Sequence, residues 1–178
     1  MRERSRQLAF CGVLCALAVV ILVLGSLVPL STFCCPILAM CALLPLREEF
    51  GPRLALGAYA VVAALGILLV PDKEAALLYL FLGYYPVLRP RLERMRPRIL
   101  GLLCKLLVFN ASVLLLYWLL LHVFALSEVM ESFAGLSRAM LAATLAMGNL
   151  VFFLTDRALE VLTLFYRLRV RKKLFPRS

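Results

Sequence analysis

Apolar residues run through this chain in long blocks, with polar residues in short clusters between them. A helix needs about 20 mostly apolar residues to cross a bilayer. Residues 8–30, 54–70, 99–126 and 139–160 reach or approach that length. Two blocks are shorter: residues 32–46 contain Pro36, and residues 75–88 contain Gly83 and Pro86. Each reads as a tilted span or as a re-entrant segment packed inside a bundle. The pattern predicts an all-α integral membrane protein. It would be one domain, residues 1–178, built as a bundle of about six transmembrane helices.

Composition agrees. The chain has 178 residues, 64% of them hydrophobic, and a mean hydropathy of +0.97. A soluble domain is about 45–50% apolar, so one small water-soluble core cannot hide this much grease. The first block resembles a signal peptide but runs longer than a typical apolar core of one, and it is read as a retained span.

Net charge is +10, and its placement orients the bundle. Arg2, Arg4 and Arg6 precede the first block; Arg47 and Arg53 follow the second. Arg89, Arg91, Arg94, Arg96 and Arg98 follow the fourth, and a basic tail occupies residues 167–178. The alternate loops keep only Lys73 and Arg138, beside Asp72, Glu74, Glu128 and Glu131. With six spans the positive-inside rule is obeyed at every loop, and both termini are expected in the cytoplasm. The same clusters lack the basic–aromatic pattern of a nucleic-acid module.

Catalytic motifs are missing. There is no phosphate-binding G-x-x-x-x-G-K-[ST] loop, no H-E-x-x-H and no G-x-S-x-G. The six cysteines form no C-x-x-C pair, and one histidine cannot complete a metal shell. No enzyme activity, metal or cofactor is expected. Uphill movement of a solute would need a partner or an ion gradient.

Polar groups inside a bilayer are costly, which makes them candidates for function. Asn110 and Asn149 fall at similar depth if the fifth and sixth spans are antiparallel neighbours. The same alignment predicts that Lys105 and Asp156 pair, as a helix-locking contact. Tyr117, Trp118 and His122 fall near the outer end of the fifth span, where aromatics anchor the interface or touch a ligand. Ala139, Ala142, Ala143, Ala146 and Asn149 form a small-residue strip that invites close helix packing. Broken helices point to substrate cavities in transporters. That directs attention to Asp72, Lys73 and Glu74, which open the fourth segment, and to Tyr79 just over a turn beyond. Tyr84 and Tyr85, at its other end, read as interfacial anchors or inner-face contacts.

The first helix, "RQLAFCGVLCALAVVILVLG", resembles the first helix of the substrate-binding (S) components of energy-coupling factor transporters. Gly12 and Ala16 supply that family's small-x-x-x-small spacing. The resemblance implies about six spans, cytoplasmic termini, and docking through Gly12 and Ala16 on a transmembrane coupling subunit that works with separate ATPase subunits. It implies a small-molecule ligand held near the extracytoplasmic side. The candidate contacts are Asp72, Lys73, Glu74, Tyr79, Asn110, Tyr117, His122 and Asn149. The histidine-rich N-terminus of nickel- and cobalt-type members is missing, so a vitamin-like organic micronutrient is expected. The alternatives are a scaffold or assembly subunit of cell-envelope machinery, whose basic loops bind anionic lipid or partner tails, and a secondary carrier working alone.

Overall fold

The computed structural model describes residues 2–28, 31–93, 98–119 and 138–170. The regular structure among them is helical: α1 (Arg2–Gly25), α2 (Cys34–Ala42), α3 (Leu44–Phe50), α4 (Pro52–Leu69), α5 (Lys73–Leu82), α6 (Tyr85–Glu93), α7 (Arg98–Leu119) and α8 (Arg138–Phe165). A π-helical turn, Tyr166–Val170, continues α8. The expected all-α architecture is therefore present.

Among the described residues, three stretches are long and apolar enough to cross a membrane: Ser5–Gly25, Pro52–Leu69 and Ile99–Leu119. At about 1.5 Å per residue, a 21-residue stretch reaches about 31 Å, the thickness of a hydrocarbon core. Large apolar side chains cover their outer faces: Val13, Leu17, Val20 and Leu24 on α1, Val61, Leu65 and Leu68 on α4, Leu103, Leu107 and Leu114 on α7. Such faces are unfavourable in water and are satisfied by lipid.

The two short blocks are broken helices. A single residue, Leu43, separates α2 from α3, and Gly83 and Tyr84 separate α5 from α6. The cause lies just beyond each break. Pro45 and Pro86 have no N–H to donate to the carbonyls four residues back, and their rings crowd those carbonyls. Pro36, the proline expected to interrupt the first of these blocks, instead sits in the first turn of α2, where its missing donor costs little. Gly51 then reverses the chain between α3 and α4 with φ +87°, a left-handed conformation suited to glycine, and Pro52 starts α4.

The chain forms two compact units, Met1–Pro90 with Ala158–Ser178, and Arg91–Arg157. In the first, α1 packs on α2 and α4, and α5 packs on α2 and α4. The buried stripe of α1 is Cys15, Ala18, Leu22 and Gly25, at helical spacing. The facing stripe of α4 is made of small residues, Ala55, Ala58, Val62 and Gly66. Small residues let backbones approach, which is what drives helix association in lipid. A Cβ at Gly66 would lie 3.6 Å from Leu22 Cδ1, so the leucine fills the notch that the glycine leaves. At Gly25 any side chain would collide with Cys35, which draws the start of α2 against the end of α1.

In the second unit α7 and α8 meet through Phe109 and Phe152, stacked at 4.6 Å with planes 23° apart. Gly148 gives the Phe109 ring its space, since a Cβ there would lie 3.7 Å from Phe109 Cζ.

Candidate functional site

The charged turn before α5 is tied into the fold. Asp72 is the N-cap of α5: its Oδ1 accepts from the Ala75 amide at 3.1 Å. Its Oδ2 accepts from Thr32 Oγ1 at 2.8 Å, which anchors the entrance of α2. Lys73 Nζ donates to the carbonyls of Ile67 and Val70 at 2.9 and 3.0 Å, closing the C-terminal end of α4. Glu74 lies half-buried in the first turn of α5, where a negative charge suits the helix dipole. Asp72 and Lys73 thus spend their polar groups on joining three helices. Replacing Asp72 by Ala is expected to lower stability by about 1 kcal/mol, the usual value of an N-cap. Thermal denaturation in detergent checks this, and Asp72→Asn should recover most of the loss.

Tyr79, one and a half turns further along α5, is different. It is 0% exposed and is among the largest fully buried side chains described. Its hydroxyl has no hydrogen-bond partner. Its ring lies 5.9 Å from that of Tyr59, and the Tyr84 ring stands T-shaped to Tyr59 at 6.0 Å. The Tyr59 hydroxyl is satisfied, because it donates to the Leu80 carbonyl. Gly83 completes the wall: a Cβ there would sit 3.1 Å from Tyr79 Cζ and 3.2 Å from Tyr59 Cδ2. A buried phenol without a partner gives up a hydrogen bond that water would supply. Tyr85, expected as an interfacial anchor or an inner-face contact, is buried.

The second unit holds polar residues of α7 and α8. Asn110 Nδ2 donates to Asn149 Oδ1 at 3.0 Å, and Asn149 Nδ2 donates back to Asn110 Oδ1 at 3.3 Å. Each Nδ2 also donates to the carbonyl four residues back, Leu106 or Leu145, at 2.9 Å. An amide nitrogen carries two protons, so both donors of both residues are used. The pair locks α7 to α8 and keeps no donor for a ligand. Lys105 Nζ lies 2.9 Å from Asp156 Oδ2 and 3.4 Å from Glu93 Oε1. The lysine and aspartate side chains are 11% and 14% exposed, and Glu93 is 42% exposed.

Tyr117 is half-buried near the end of α7, with Trp118 exposed beside it. His122 lies outside the described residues. Gly12 and Ala16 are exposed on one face of α1, and a Cβ at Gly12 would meet nothing within 4 Å. The strip at the start of α8 is also open: Ala142, Ala143 and Ala146 are exposed.

Contacts that pattern reading missed join distant parts of the first unit. Glu48 on α3 accepts from Arg47 at 2.7 Å and from Arg167 Nε at 2.6 Å. This hydrogen bond and the carboxylate charge raise the already high pKa of Arg167. Tyr166 donates to Glu49 at 3.3 Å, and Arg89 pairs with Glu160 at 3.6 Å. The acidic pair in "LREEF", set among basic residues, was the available signal.

These features define a class: an all-helical protein among its described residues, with three helices long and apolar enough to cross a membrane. No known family model, curated protein or solved structure matches the chain.

Proposed function

We propose that this protein is the membrane-embedded substrate-capture subunit of an uptake system for a small, vitamin-like organic molecule, energised by separate coupling and ATPase subunits. In this reading it crosses a bacterial plasma membrane six times with both termini in the cytoplasm. The observation that carries the reading is the Tyr79 hydroxyl, buried inside the first unit with no partner. A captured molecule with a hydrogen-bond acceptor would satisfy it. The open pair on α1 supports the partner half of the reading, because Gly12 and Ala16 leave a shallow face that another helix can approach.

The test is mass spectrometry of small molecules released from the purified protein. The wild type should release one dominant compound, and Tyr79→Phe should retain it about fivefold less, the equivalent of one neutral hydrogen bond. Release of no compound by the wild type, or equal retention by both proteins, would remove the reading.

A second expectation concerns the partner. Gly12→Leu and Ala16→Leu should abolish copurification with an ATPase module while stability stays within about 0.5 kcal/mol, as for other exposed positions. Copurification and thermal denaturation of the same samples measure both.

One set of observations favours the alternative of an envelope scaffold. Asp72, Lys73, Asn110 and Asn149 all spend hydrogen bonds on internal partners. A pull-down containing envelope-synthesis proteins and no ATPase would choose that reading.

A further inference from the structure

The C-terminal end of α8 carries an arrangement that substrate capture does not require. Tyr166 is buried, with its hydroxyl on Glu49, and Arg167 is held by Glu48. These two contacts pin one side of the segment to α3. The other side faces outward. Val161, Phe165 and Leu168 lie along it at helical spacing and are 65%, 50% and 64% exposed. Arg169 lies on the same side, its guanidinium 5.9 Å from the centre of the Phe165 ring. No carboxylate among the described residues pairs with Arg169; Glu48 is occupied by Arg47 and Arg167, and Glu160 by Arg89.

An apolar strip ending in a guanidinium that has no carboxylate partner among the described residues matches a phospholipid: acyl chain along the strip, phosphate at its end. Arginine suits a phosphate, since its planar fork donates two parallel hydrogen bonds. The sequence that follows, "RKKLFPRS", adds Arg171, Lys172, Lys173 and Arg177, which favours an anionic headgroup over a zwitterionic one. We infer that the face formed by Val161, Phe165, Leu168 and Arg169 is a binding site for an anionic phospholipid, with Arg169 holding the headgroup phosphate. The inference stands apart from the transport reading, because it uses neither Tyr79 nor the α1 face.

The experiment is native mass spectrometry of the full chain in mixed micelles holding equal amounts of phosphatidylglycerol and phosphatidylcholine. One basic residue near an anionic surface corresponds to about fivefold in binding. The wild type should therefore carry phosphatidylglycerol over phosphatidylcholine by about fivefold or more. Arg169→Gln should lose about fivefold of that preference, and Arg169→Lys should keep most of it. Arg53→Gln, which removes another exposed arginine at the start of α4, should leave it unchanged. Circular dichroism verifies that each variant is folded, and removal of the exposed Arg169 leaves no buried group unpaired. A wild type without headgroup preference would overturn the site. Equal losses from Arg169→Gln and Arg53→Gln would overturn it in favour of diffuse charge attraction. Displacement of the lipid by soluble glycerol phosphate would overturn it in favour of a free phosphate ester.

Discussion

Replacing Lys105 by Met is expected to destabilise the protein by about 3–5 kcal/mol, the usual result of breaking a buried ion pair from one side. The substitution removes this ion pair from Asp156, 14% exposed, and puts an apolar side chain beside its carboxylate. Glu93 adds little, since at 42% exposure water screens it. The double substitution Lys105→Met with Asp156→Leu should recover most of the loss, because a matched apolar pair avoids desolvating two charges. Denaturation of the full chain in mild detergent, followed by helical circular dichroism, measures both. A double variant as unstable as the single one would show that Lys105 acts through other contacts.

Tyr79→Ala should also cost about 3–5 kcal/mol, the range for deleting a large buried ring. The ring is fully buried beside Tyr59, so its removal leaves a cavity in the first unit. Tyr79→Phe should behave in the opposite sense. It keeps the ring and removes a hydroxyl that has no partner, so stability of the ligand-free protein should hold or rise by up to about 1 kcal/mol. Paired with the retention experiment, this separates two roles. A hydroxyl that matters for ligand and not for stability is a binding group. One whose loss destabilises the empty protein has an internal partner after all.

How much was legible depended on how local the cause was. Helicity and membrane-spanning length follow from composition along one segment, so α1, α4 and α7 were readable from their apolar runs. The break before Pro86 was readable too, because a missing N–H acts on its own helix. The earlier break was assigned to the wrong proline: Pro36 falls in a first turn, whereas Pro45 falls where its donor is needed. The charged turn at Asp72 drew notice as a ligand site, and its partner Thr32, 40 residues away, was invisible. Glu48 and Arg167 are 119 residues apart, and no periodicity links them.

The sequence alone determined that this chain is helical and apolar enough for a bilayer, and where one helix must break. These are properties of side-chain transfer and backbone donors, which each segment carries with it. Tertiary structure alone decided which polar groups are satisfied. Among the described residues, Asp72, Lys73, Asn110 and Asn149 found partners, the Tyr79 hydroxyl did not, and Arg169 met an aromatic ring and no carboxylate. A hydrogen bond needs its partner within about 3 Å and correctly aimed. For side chains on different helices, only packing and rotation of those helices supply that.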